Sequence, residues 1–304
     1  MNLITGNESV GEKESSQSSL SQQTMQIASN GDSALRVLQI TDCHLGEQVG
    51  ESLAGMDTDA SLDFVIELLL AEEGSTPNEG VLAIDLLLAT GDLSNHGTSA
   101  AYQRLDTKLQ PLGVPMAWLP GNHDIRDLMI DTVGQDRLPR LIRLGNWAIC
   151  MLDSAVPGKV GGELGPSELD GLQSALEALP VDCHIVVCLH HQPVPVGSSW
   201  LDQQQVVDSE RLFEVLCDEP RLRAIVWGHV HQEFSGDDPR LPGVQLVASP
   251  STCIQFAPGQ SDFTIDPAMP GYRWFDLHAD GTLRTGVSRV ENVALDLDIA
   301  SSGY

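Results

Sequence analysis

Short apolar runs that stop abruptly at Asp, Asn or His constrain this chain more than any other feature. Val37–Thr41 delivers Asp42-Cys43-His44, Leu86–Thr90 delivers Gly91-Asp92, and Met116–Leu119 delivers Gly121-Asn122-His123-Asp124. Ile185–Leu189 then delivers His190-His191, and Ala224–Trp227 delivers Gly228-His229-Val230-His231. Runs this short, apolar at nearly every position, suit strands buried on both faces. Helical patterns separate them: Leu62, Val65, Ile66 and Leu69 share one face, as do Leu169, Leu172, Leu176 and Leu179. Pro166 suits the first turn of a helix over Ser167–Leu179. The alternation predicts an α/β fold with buried sheet and helices outside. Tyr272–Leu277 and Thr282–Ser288 flank Ala279-Asp280-Gly281, a hairpin signal, so the sheet is mixed or two sheets pack together. Every polar cluster then falls at a carboxyl-terminal strand edge, the usual place for α/β chemistry.

Residues 1–33 are rich in Ser, Gln, Glu and Asn without a sustained apolar period, and are expected to form a disordered tail before one domain spanning 34–304. The net charge of −27 argues against nucleic acid or an anionic membrane as partner. A small anionic substrate remains compatible, because bound metal reverses the local field. The six cysteines are scattered with no CxxC pair, which suits free thiols in a reducing compartment. Cys43 is expected to point away from its neighbours Asp42 and His44. No leader pattern and no apolar run of about 20 residues is present, so a cytoplasmic location is expected. The clusters offer oxygen and nitrogen ligands for two metal ions and leave one histidine for acid catalysis. Each is weak alone; their joint occurrence, each at a strand end, is not what scattered structural polar residues produce. His229 and His231, two apart, are expected to point to one side of an extended segment.

In this order the clusters spell D-x-H, G-D, G-N-H-[DE], H and G-H-x-H, a signature that resembles that of the calcineurin-like metallophosphoesterases, across nearly everything from Arg36 to Val290. The resemblance implies a four-layer α/β/β/α sandwich of two mixed sheets with a dinuclear site. It assigns Asp42, His44, Asp92 and His231 to the first metal and Asp92, Asn122, His190 and His229 to the second, with Asp92 bridging. His123 takes the place of the non-ligating catalytic histidine. Mixed imidazole, carboxylate and amide donors suit Fe, Mn, Zn or Co rather than Ca or Cu(I). The implied reaction is in-line attack on phosphorus by a hydroxide bridging the two ions, with His123 protonating the leaving oxygen. Asp124 has two readings, orienting His123 or capping a loop. His191 should face away from the ions, and His96 sits in a loop near the site.

Two further segments narrow the resemblance. His190-His191-Gln192-Pro193-Val194-Pro195-Val196-Gly197-Ser198-Ser199-Trp200-Leu201-Asp202 is similar to a loop of the class III cyclic-nucleotide phosphodiesterases. Ser249–Phe256, followed by Pro270-Gly271-Tyr272-Arg273-Trp274, is similar to the bacterial 3′,5′-cyclic AMP phosphodiesterases. The resemblance implies hydrolysis of 3′,5′-cyclic AMP to 5′-AMP, a small cyclic nucleotide being the partner. His44, Asp92, Asn122, His123 and His231 would contact that substrate, and Trp200 could stack on its base; alternatively Trp200 and Phe256 cover the rim. No Gly-rich phosphate loop is present, and Arg126 and Arg273 are the candidate cationic helpers. The competing expectations are a broader phosphodiesterase acting on 2′,3′-cyclic nucleotides or glycerophosphodiesters, and a non-catalytic scaffold of the same fold.

Overall fold

A computed structural model describes residues 23–28, 34–74, 82–294, 296–301 and 303. Its strands begin with β1 (Thr24–Ile27), β2 (Leu35–Ile40), the small pair β3 (Ser52–Leu53) and β4 (Met56–Asp57), β5 (Leu86–Thr90) and β6 (Met116–Leu119). There follow β7 (Leu141–Leu144), β8 (Trp147–Leu152), β9 (His184–Leu189), β10 (Leu222–Trp227), β11 (Phe234–Gly236) and β12 (Gln245–Ala248). The last are the small pair β13 (Gln255–Phe256) and β14 (Ile265–Asp266), then β15 (Gly271–Leu277) and β16 (Leu283–Arg289), which form the expected hairpin. The main helices are Thr58–Glu73, Ser99–Leu109, Arg126–Val133, Gly165–Ala178 and Ser209–Leu216. The first is capped by the Asp57 carboxylate, which accepts from the Ala60 N–H at 3.0 Å.

One sheet runs β1-β7-β8-β9-β10-β12-β11 and the other β16-β15-β2-β5-β6. Both are mixed: β8, β9, β10 and β12 are parallel neighbours with β11 antiparallel, and β2, β5 and β6 are parallel with β15 antiparallel. Side-chain alternation along each strand decides the layering. Leu35 and Val37 of β2 share a core with Ile149, Val186 and Val226 of the other sheet, whereas Leu38 and Ile40 pack with Val65, Leu69 and Leu105 from helices. In β9, Cys188 joins that inter-sheet core while Ile185, Val187 and Leu189 meet Leu172 and Leu212. Each sheet is thus covered on both faces, and the architecture is the four-layer α/β/β/α sandwich.

A polar residue crosses the seam between the sheets. The Gln39 amide, fully buried, donates to Thr90 Oγ1 at 2.8 Å and to the Trp227 carbonyl at 3.2 Å, and accepts from Ser249 Oγ at 2.6 Å. It thereby ties β2, β5 and the end of β10 together just below the polar clusters. Gln39→Leu strands these partners in an apolar seam and is expected to cost about 2–3 kcal/mol; a denaturant midpoint unchanged from the parent would contradict this.

The disordered-tail expectation needs one correction. Thr24–Ile27 is a strand, pairing in parallel with β7 from Thr24↔Leu141 to Ile27↔Leu144. Met25 and Ile27 lie on one side of it and reach the inter-sheet core. Two apolar residues in four are too few to reveal a strand by pattern; the open edge of β7 supplies the rest. The remainder of that expectation, residues 1–22 and 29–33, falls outside the described residues.

Candidate metal centre

Backbone hydrogen bonds continue past the strand ends and hold the clusters in pairs. Asp42 N–H donates to the Gly91 carbonyl at 2.9 Å and His44 N–H to the Asp92 carbonyl at 2.8 Å, while Gly228 N–H donates to the His190 carbonyl at 3.1 Å. The chain then turns sharply. Asp42, His44, Asp92, His229 and His231 all have positive φ, between 46° and 60°. Left-handed backbone costs a non-glycine residue on the order of 1–3 kcal/mol, and its concentration here marks strain held by the surrounding fold. Two cluster glycines answer a different need, close approach. A Cβ at Gly121 would overlap the Asp92 carboxylate, and one at Gly228 would overlap the Thr41 hydroxyl and come within 2.7 Å of Asp42 Oδ2.

These turns gather the side chains in buried sets whose ligand atoms lie within 4.8 Å of one another: Asp42, His44 and His231; Asp42, Asp92 and His190; and His190 with His191 and His229. Asp92 Oδ2 lies 3.3 Å from His190 Nε2 and 3.8 Å from His44 Nε2, between the two ends. His229 and His231 separate, His229 joining His190 and His231 joining His44. The expectation that they share a side therefore fails, because both have left-handed backbone instead of extended backbone.

Hydrogen bonds to the far ring nitrogens fix which atoms face inward. His44 Nδ1 meets Asn95 Oδ1 at 3.2 Å, His190 Nδ1 the Thr90 carbonyl at 2.8 Å, and His231 Nδ1 the Ile254 carbonyl at 2.8 Å. Oxygens of this kind only accept, so each Nδ1 carries the proton and each Nε2 presents a lone pair. His229 is reversed, its Nε2 donating to Gln204 Oε1 at 3.0 Å, which turns Nδ1 into the donor atom for a ligand. The Nε2 atoms of His44 and His231 consequently face each other at 3.1 Å, with Asp42 Oδ1 3.4 Å from the latter. Two lone pairs and a carboxylate oxygen converging in a buried space call for a cation. His190 Nε2 and Asn122 Oδ1 are buried without a hydrogen-bond partner among the described residues. Nitrogen and oxygen donors in two sets joined by carboxylates fit a pair of transition-metal ions.

The electrostatics agree for His44 and His229 and differ for His190. Burial, with His123 and His191 respectively as neighbours, holds the His44 and His229 imidazoles well below the usual histidine range, hence neutral. For His190 burial also disfavours charge, but the Asp92 and Asp42 carboxylates outweigh it and lift the group to about 9. Burial opposes ionisation of Asp92, yet the histidines around it hold its carboxyl well below the ordinary range.

His123 stands beside the first set, its ring 4.8 Å from that of His44 and edge-on to it. Its Nδ1 donates to the Asn95 carbonyl at 2.9 Å, and its backbone N–H donates to Asp92 Oδ1 at 2.8 Å. Asp124 favours the loop-capping reading: its carboxylate accepts from the N–H groups of Leu93, Ser94 and Gly121 and from the Tyr102 hydroxyl. His191 spends both ring nitrogens, on Ser154 Oγ at 2.9 Å and the Val160 carbonyl at 3.0 Å, although its position groups it with His190 and His229. Burial and His190 push it down to about 3, which keeps it neutral beside His190 and His229. Cys43 is buried on the helix-facing side of its sheet, and burial raises its thiol far above the usual range. Arg273 is no phosphate helper: it is buried and bonded to the carbonyls of Ala248 and Phe234. Trp200 meets the site through Phe256, against which it packs at 5.1 Å, while Phe256 stacks on His231 at 4.1 Å. Asn95 and Gln204 were not singled out from sequence. Asn95, three residues past Asp92, had a positional signal; Gln204 had none.

A family model for calcineurin-like phosphoesterase matches residues 35–233. The chain is 43% identical over 274 residues to the 3′,5′-cyclic adenosine monophosphate phosphodiesterase CpdA of Pseudomonas aeruginosa, covering 90% of this chain and 96% of that protein. It is 39% identical over 277 residues to the protein of that name from Escherichia coli strain K12, with the same coverage. Among solved structures, a dimetal phosphatase from Danio rerio aligns with a TM-score of 0.55 at 15% identity, over 86% of this chain and all of that one. GAP50, the anchor in the inner membrane complex of Plasmodium, aligns at 0.58 and 13% identity, over 88% and 89% of the two chains. At such identities these two show the fold alone. With the ordered clusters in one buried site, the family match over most of the described core and relatives alike along nearly their whole length, the chain belongs to the calcineurin-like phosphoesterase family.

Proposed function

We propose that this protein hydrolyses 3′,5′-cyclic AMP to 5′-AMP, with residues 34–304 as the catalytic domain. The observation that carries the reading is near full-length likeness to proteins named for that reaction, in a chain that keeps every residue of the ordered signature. Retention of the complete set speaks against a scaffold role, which needs none of it; the fold by itself is neutral, since GAP50 shares it. Asp42, His44, Asp92 and His231 would hold one metal ion and Asp92, Asn122, His190 and His229 the other, with Fe, Mn or Zn compatible with the donors. The chemistry such ions supply when bound is positive charge against the phosphoryl oxygens and activation of a water. Within the chain, the Asp92 carboxylate joins the two sets, and Thr90, Asn95, Ile254 and Gln204 orient the imidazoles. His123, its Nδ1–H donated to the Asn95 carbonyl, has Nε2 left for proton transfer, and in its doubly protonated form it passes the Nε2 proton to the departing 3′ oxygen. A cytoplasmic location fits five buried thiols that form no disulfide; no helix among the described residues is long and apolar enough to cross a membrane.

The test compares kcat/KM for 3′,5′-cyclic AMP, 2′,3′-cyclic AMP and glycerophosphocholine with manganese- or iron-loaded protein. A preference for the first of at least about tenfold is expected. Equal or faster turnover of either alternative would assign a broader phosphodiesterase.

A further inference from the structure

Next to the metal centre lies a cavity of about 730 Å³, within the size range of small-molecule sites. Asn122 and His123 line it, so it opens directly onto the position where the scissile phosphate would sit. Away from them its lining changes character. Ile125, Val156 and Pro157 give it apolar walls, and Ile125 is 52% exposed. Arg126 and Asp153 add a polar end. Arg126 Nε lies 3.2 Å from Asp153 Oδ2, while Asp153 Oδ1 accepts from the Ala155 N–H at 3.1 Å. Asp153 therefore ties the arginine to the loop that carries Val156 and Pro157. The terminal nitrogens of Arg126 make no hydrogen bond among the described residues and remain available to a ligand.

We propose that this cavity is a purine-base subsite, with the ring lying against Ile125, Val156 and Pro157 and the Arg126 guanidinium, anchored by Asp153, engaging it. The inference rests on the cyclic-nucleotide reading and assigns its specificity. A neutral purine matches the lining: its faces are apolar, and its ring nitrogens and π-system both attract a guanidinium. The position suits it too, since a nucleotide with its phosphate at Asn122 and His123 must send its base into adjoining space. The base contact thereby moves from Trp200, which packs in the Phe256 and Phe263 cluster, to the cavity that Asn122 and His123 line.

The experiment follows hydrolysis of methyl p-nitrophenyl phosphate, which has no base, by the full-length manganese-loaded protein in the presence of AMP or ribose 5-phosphate. AMP is expected to inhibit at least about tenfold more strongly. Arg126→Ala and Ile125→Ser, both at partly exposed positions, should each shrink that gap by about fivefold or more, and should lower the ratio of kcat/KM for cyclic AMP to that for the baseless diester by a similar factor. Equal inhibition by the two compounds in the parent, or a gap that both variants preserve, would overturn the subsite even if cyclic AMP is a good substrate. Failure of the parent to hydrolyse cyclic AMP, with the AMP advantage intact and lost in the variants, would instead overturn the reaction assignment and support the base subsite.

Discussion

Asp92→Ala is expected to lower kcat/KM for phosphodiester hydrolysis by on the order of 10³ or more, equivalent to about 4 kcal/mol, and to reduce bound metal below two ions per chain. The reason lies in what meets at one carboxylate. Oδ2 stands between His190 and His44, one from each ligand set, and Oδ1 accepts the His123 backbone N–H. Under the proposed assignment, removing it would take away the negative charge that balances two cations and their shared ligand, together with the contact that places the loop carrying His123. A buried site deprived of its counter-charge cannot recover the loss from solvent. Metal analysis alongside kinetics checks the claim: two ions retained, with activity within tenfold of the parent, would remove Asp92 from the bridge.

His123→Ala should behave differently, keeping its metals while losing turnover in a way that depends on the leaving group. For an alkoxide such as the 3′ oxygen of cyclic AMP, kcat should fall by about 10²–10⁴, the usual contribution of a positioned proton donor. For a p-nitrophenolate, stable without a proton, the fall should be less than about tenfold. Asn95 makes this separation possible: by accepting from Nδ1 it leaves Nε2 as the atom from which the imidazolium form gives up its proton, and it orients His44 independently through its side chain. Equal losses on both leaving groups would mean that His123 binds or props instead of donating. Asp124→Asn would not reproduce the pattern, because its carboxylate serves the N–H groups of Leu93, Ser94 and Gly121 rather than the imidazole.

Much of this centre is legible in the sequence. Asp42, His44, Asp92, Asn122, His123, His190, His229 and His231 are few, polar and placed where apolar runs end, so a parallel sheet edge had to bring them to one side of the molecule. Strand and helix periodicity likewise gave the two-sided burial of β2, β5, β9 and β10, because an unbroken apolar run has no solvent face to spare. What stayed hidden was whatever depends on the path of the chain between those runs. Left-handed φ at His229 and His231 sends neighbouring imidazoles to different ligand sets, a choice that two-residue spacing cannot make. Gln204 reaches His229 across 25 residues, and Thr24–Ile27 becomes a strand through the edge that β7 offers. His191 and Cys43, adjacent in sequence to the proposed ligands, are withdrawn by their own packing. The identity and order of the chemical groups were therefore written in the sequence, since hydrophobic pattern and residue type are local properties. Their tautomers, their division into two sets and the cavity beside them were decided by tertiary structure, since each depends on partners that only the closed fold brings within hydrogen-bonding distance.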